Sequence, residues 1–138
     1  MAKKTLSLGI NFIALVAVLV LVPAALAGKG GVKGSDPSGL NLVVLDSTDG
    51  LPHWGDHVTF SVSTTATDQP YATLNCYQNE VWVLTGTRGF YPGSYGQTFA
   101  LSSAGWTGGA AECTAELFSL SSNGKTTTLG TTSFHVYA

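Results

Sequence analysis

Two cysteines, Cys76 and Cys113, are the tightest constraint on what this chain can fold into. Each lies in a stretch where apolar and polar residues alternate, downstream of an N-terminal segment that reads as an export signal. Two thiols carried into an oxidising compartment on strand-like segments are expected to join and to staple a small all-β domain. The alternative is that both stay reduced and buried, and mass measurement with and without reductant distinguishes the two.

The signal reading rests on Lys3 and Lys4, an apolar run over 5–22, and the small-x-small pattern that closes at Ala27. Residues 1–27 are therefore expected to be removed. An uncleaved anchor is the alternative, because the run approaches the length of a membrane span, although Gly9 and Asn11 interrupt it. No cysteine stands near the cleavage site for lipid attachment, and no apolar tail follows the last strand-like segment. The expectation is a secreted, extracellular product with no membrane attachment after signal cleavage.

Cleavage leaves 111 of the 138 residues, which suits one domain with one core. It also removes two cations, so four Lys and Arg face eight Asp and Glu, a net charge of −4. Nucleic acid and anionic membrane surfaces are bound through clustered cations, so both are disfavoured as partners. Arg88 is the single arginine.

Residues 28–39 are rich in Gly and Ser and read as a flexible leader. From residue 40 to 138 the hydrophobic period is two, with no convincing helical period. Strands are expected over 40–46, 57–64, 71–78, 81–87, 97–102, 110–120 and 129–137. In the second, Val58, Phe60 and Val62 share a face; in the third, Ala72, Leu74 and Cys76; in the sixth, Ala111, Cys113, Ala115 and Leu117. Both sulfurs therefore point inward.

Asn123 and Gly124 are the strongest hairpin signal, since a two-residue turn at positive φ matches strand twist. With these two as the turn, Cys113 falls opposite Phe134, Ala111 opposite Val136 and Glu112 opposite His135. Apolar meets apolar and polar meets polar, whereas a one-residue slip would turn one apolar set to solvent.

With seven alternating segments, inward cysteines, and Gly55, Asp56, Val58, Phe60 and Val62 opening a strand, the chain resembles the immunoglobulin-like domains of bacterial secreted and surface proteins. The resemblance covers about residues 40 to 138 and implies an all-β sandwich of about seven antiparallel strands with one disulfide. It departs from the antibody pattern: position 111 is Ala where a tyrosine corner needs Tyr, and Trp82 follows Cys76 too closely to be the usual core tryptophan. In such a sandwich the third and sixth strands are neighbours in one sheet, so the bridge is expected between strands and not between sheets.

Motifs for chemistry are sparse. His53, Asp56 and His57 carry metal-binding side chains, but Pro52 and Gly55 point to a polar turn before a strand, and nothing supplies a further ligand. Asp46 and Asp49 suggest a calcium loop, yet the twelfth position is His57 where an EF-hand needs Glu, and Asx turns explain the same residues. Glu112 and Glu116 lie about 13 Å apart on an extended strand, too far for a glycosidase pair. Glu112 is expected to pair with His135 instead. Neither a phosphate-binding loop nor a nucleophile elbow is present. No cofactor is expected.

The remaining signal is aromatic. Residues 90–96 combine Phe90, Tyr91 and Tyr95 with Pro92, Gly93 and Gly96, and rings on such a loop supply contact area with little entropy loss. Phe90 is expected to cover the end of the core, with Tyr91 and Tyr95 the exposed members. Trp106 reads as a core plug beside the sixth strand. These features indicate a secreted, non-enzymatic recognition or structural module that binds an extracellular protein or glycan through loops. The alternatives are a carbohydrate-binding or cell-wall-binding module, a small secreted hydrolase or metal-dependent enzyme using His53, Asp56 and His57, and a secreted inhibitor.

Overall fold

A computed structural model describes residues 38–138; the expected signal segment 1–27 and nearly all of the 28–39 leader lie outside the described residues. Seven strands follow in order: β1 Gly39–Val44, β2 His57–Ser63, β3 Tyr71–Gln78, β4 Val81–Gly89, β5 Phe99–Ala100, β6 Ala111–Leu120 and β7 Thr126–Val136. They form two antiparallel sheets, β1-β2-β5 and β4-β3-β6-β7. No helix among the described residues is long and apolar enough to cross a membrane.

The alternation translates directly into burial. Val58 and Phe60 of β2, Ala72, Leu74 and Cys76 of β3, and Ala111, Cys113, Ala115 and Leu117 of β6 are all in one core, as their spacing predicts. Phe60 is its aromatic hub, meeting Phe99, Phe90 and Phe134 at 5.8, 6.3 and 6.4 Å between ring centroids. Those partners come from both sheets, so the two layers bury their apolar faces against each other. Arg88 lays its guanidinium over the Phe99 ring, 5.3 Å from the centroid. Cys76 and Cys113 are direct cross-strand partners and are bonded, linking β3 to β6 within one sheet.

Two expectations about the strands need correction. The fifth, read over 97–102, is only Phe99–Ala100. The backbone carbonyl of Gln97 accepts from the Thr59 hydroxyl, and Gly96 at φ +66° turns the chain off the strand path. The Asn123–Gly124 hairpin is a three-residue loop: the Gly124 N–H donates to the Ser121 carbonyl, the Ser121 N–H to that of Lys125, and only Gly124 has positive φ. This shifts the register by one near the turn, until a bulge leaves Leu129 unpaired. Beyond the bulge, Cys113 faces Phe134, Glu112 faces His135 and Ala111 faces Val136, the register expected from sequence.

The two-residue turn is instead at Asn79–Glu80, where both residues have positive φ, 48° and 67°. Asn tolerates this backbone, but Glu has a Cβ that the left-handed region disfavours. Glu80→Gly is therefore expected to stabilise the domain by about 0.5–1 kcal/mol, strain relief outweighing the added unfolded-state entropy of glycine. A urea midpoint that rises with unchanged slope checks this.

Candidate functional site

Only part of the predicted 90–96 loop is open. Phe90 packs on Phe60, as expected. Tyr91, expected to be exposed, is folded back: its ring stands edge-on to Tyr71 at 5.5 Å and the two hydroxyls share a hydrogen bond of 3.3 Å. That bond holds the Tyr91 phenol above its ordinary pKa. The turn back requires Gly89, because a Cβ there would lie 2.5 Å from the Tyr91 ring. Ser94 ties the loop to itself by donating to the carbonyls of Gly89 and Tyr91. Tyr95 alone projects, 93% exposed.

His53, Asp56 and His57 do not converge. His53 Nε2 pairs with Asp49 Oδ2 at 2.9 Å, while His57 Nδ1 pairs with Asp46 Oδ2 at 2.7 Å. Asp56 accepts the His53 backbone N–H at 2.9 Å and caps the turn. Among the described residues no group of three or more His, Cys, Asp or Glu could hold a metal ion. The acidic stretch also behaves as a turn: Asp49 Oδ1 accepts the N–H of Leu51 and the hydroxyl of Ser47.

These bonds shift two groups in opposite directions. Ser47, Leu51 and His53 hold the Asp49 carboxyl well below the usual carboxylate range, and the Asp49 bond raises His53 above the ordinary imidazole value. The Asp49 contribution to stability is complete above about pH 3.9 and is lost as pH falls through its lowered pKa. The His53 contribution is complete below about pH 6.5 and is lost as pH rises through its raised pKa. The stability difference between wild type and Asp49→Asn is thus expected to peak between about pH 4 and 6.5, and to shrink in high salt because the pair is exposed. Thermal unfolding of both proteins across pH 3–8 checks the shape of that difference.

An open aromatic surface lies on the outer face of the four-stranded sheet. Trp82 of β4, Tyr77 of β3, Glu112 of β6 and His135 of β7 are successive cross-strand partners, forming one line across all four strands. The Tyr77 and Trp82 rings lie within 15° of parallel with centroids 6.5 Å apart, and are 39% and 59% exposed. Glu112 and His135 meet across the strands as expected, with His135 Nδ1 against Glu112 Oε1. Tyr137 extends the line, its ring edge-on to His135 at 4.7 Å and 5.7 Å from His53. Backbone bonds from Trp54 N–H to the Tyr137 carbonyl and from Tyr137 N–H to the Pro52 carbonyl fix this end.

Trp82 reaches this face because β4 carries a bulge. Tyr77 pairs with Trp82 but Cys76 pairs with Leu84, so Val83 is the extra residue. The Ser103 hydroxyl donates to the Val83 carbonyl at 2.5 Å, satisfying a group the bulge removes from regular pairing. A groove along the β4 edge continues from Trp82, floored by Val83 and Leu84 and walled by Ser103 and Gly105. Simple alternation would have set Trp82 on the Leu84 side, which is why sequence reasoning missed this row. The signal in the sequence is Tyr77 and Trp82 flanking a two-residue connection. No family model, curated protein or solved structure matches this chain.

Proposed function

We propose that this chain is an exported, immunoglobulin-like, non-enzymatic recognition domain that holds an extracellular partner against the outer face of its four-stranded sheet. The strand order supports the immunoglobulin-like reading. It corresponds to the constant-type arrangement with the fourth strand moved from beside the fifth to beside the third. The bridge between β3 and β6 differs from the antibody bridge, which joins the two sheets.

The observation that carries the functional reading is the open Tyr77–Trp82 pair, aimed outward by a bulge and flanked by the Glu112–His135 pair. Large rings with solvent on one side and a polar rim beside them are what recognition surfaces present. A domain immobilised on resin is expected to retain a component of the extracellular fraction, and Tyr77→Ala/Trp82→Ala to release it with thermal unfolding unchanged. Retention that survives this double substitution removes the row from consideration.

A second reading places contact at the 90–96 loop, on the exposure of Tyr95. Loss of retention in Tyr95→Ala, with Tyr77→Ala/Trp82→Ala still active, selects it.

A further inference from the structure

We propose that the Trp82–Tyr77–Glu112–His135 row is a binding site for an uncharged, extended oligosaccharide. This rests on the recognition reading and names the ligand class. The geometry of the row is the first reason. Four positions on adjacent strands span about 14 Å, so the line is several sugar units long. Along the strands it is bordered on one side by Thr85, Asn75, Thr114 and Ser133, all polar, and on the other by the Asn79–Glu80 turn and Tyr137. A protein partner needs a broad, dry, apolar centre to bind tightly, and two adjacent rings followed by a Glu–His pair and bordered by polar side chains do not provide one. A narrow chain-like ligand matches it.

Chemistry along the row is the second reason. A pyranose ring has a flat face of C–H bonds and a rim of hydroxyls. The exposed ring surfaces of Trp82 and Tyr77 attract the polarised C–H face, while shedding water from both. At the other half of the row, Glu112 accepts hydrogen bonds from hydroxyls and the imidazole of His135 is beside it. Tyr137 continues the line with a third ring.

Charge is the third reason, and it chooses among glycans. The titratable groups of the row, Glu112 and His135, face each other as a hydrogen-bonded pair. Glu80 sits in the turn beside Tyr77 and Trp82. Among the described residues the lysines and arginines are Arg88, far along β4 over Phe99, and Lys125, in the β6–β7 turn. No lysine or arginine among the described residues stands beside the row, whereas Glu80 and Glu112 do, so a neutral polymer is favoured over uronic-acid, sulfated and phosphorylated ones.

The bulge at Val83 adds an independent sign of purpose. It interrupts pairing on an edge strand and re-aims the one side chain that completes the platform, and bulges recur beside binding sites for that effect. The end of β3 is tied to the segment leading into β6, where Gln78 Nε2 donates to the carbonyls of Gly108 and Ala110. The disulfide pair lies one position behind the Tyr77–Glu112 pair, so the register at the centre of the row is covalently held.

The test is titration of the exported protein with neutral hexasaccharides, namely cellohexaose, mannohexaose and chitin hexamer, with an oligogalacturonate of equal length as the anionic probe. Tryptophan emission and calorimetry are the readouts. At least one neutral hexamer is expected to bind and to shift the emission, and to bind more tightly than the anionic probe. Trp82→Ala is expected to weaken binding by about tenfold or more, the loss typical of an anchoring ring. Trp82→Phe restores part of it. The proposal is overturned if none of the three neutral hexamers binds, or if binding is indifferent to Trp82→Ala. Should the hexamers fail while Tyr77→Ala/Trp82→Ala still releases an extracellular protein from the resin, the glycan assignment falls and the recognition reading stands. If that retention is also unaffected, both fall.

Discussion

Reducing the Cys76–Cys113 bond, or replacing both residues with Ala, is expected to lower unfolding free energy by about 3–4 kcal/mol. Closing a loop with a sequence separation of 37 removes that much entropy from the unfolded chain in the loop-entropy account. Against a total of about 5–15 kcal/mol for a domain of this kind, the loss brings the protein close to its threshold. Because the effect works on the unfolded ensemble, the urea slope should rise together with the fall in midpoint, as a longer unfolded chain exposes more surface. Denaturation curves with and without reductant, on protein whose thiol state is verified by mass, measure both quantities. An unchanged midpoint on full reduction would show that β3 and β6 hold their register by packing alone.

Trp106→Ala is expected to cost about 3–5 kcal/mol by the opposite route, through the folded state. Trp106 is completely buried, in the connection between β5 and β6. Its indole N–H donates to the Gly109 carbonyl at 2.9 Å, and its own carbonyl accepts the indole N–H of Trp54 at 3.0 Å. Removing the ring leaves a cavity and breaks the indole hydrogen bond to Gly109, both unfavourable. The urea midpoint should fall with the slope unchanged, and the melting temperature should drop on the order of 15 °C or more. Trp106→Phe keeps most of the apolar area but not the donor, and should cost clearly less. If the Ala variant melts within a few degrees of wild type, the ring is not the plug its burial implies.

Much of the fold is legible in the chain because strand alternation is a local property. Val58 and Phe60, Ala72 to Cys76, and Ala111 to Leu117 announce their buried faces by spacing alone, and the structure buries them. The β6–β7 register could be worked out for the same reason, and from Ala111 to Leu117 it held even though the turn did not. An extra residue in the loop was compensated by the unpaired Leu129, and the pairing of inward with inward residues made that compensation necessary. Turn type was less legible. Asn123–Gly124 suits a two-residue turn, yet the serine hydroxyl of Ser121 binds Lys125 N–H and Asn123 Oδ1 and favours a wider loop. Asn79–Glu80 has the poorer composition and makes the tight turn, since β3 and β4 are long strands whose pairing overrides one strained residue.

The candidate site was legible only in fragments. Tyr95 is exposed as its loop suggests, but Tyr91 turns inward because Gly89 leaves it room, a fact about contact rather than composition. His53 and His57 each took a different aspartate, which their spacing could not reveal.

Sequence alone determined which segments are strands, which of their faces are apolar and which two sulfurs meet, since each follows from alternation along a few residues. Tertiary structure decided where Trp82 points. One extra residue, Val83, resets the parity of a strand, and its carbonyl finds a donor only when the distant Ser103 hydroxyl arrives beside it. That contact is made by folding, and with it the face on which this protein presents its rings.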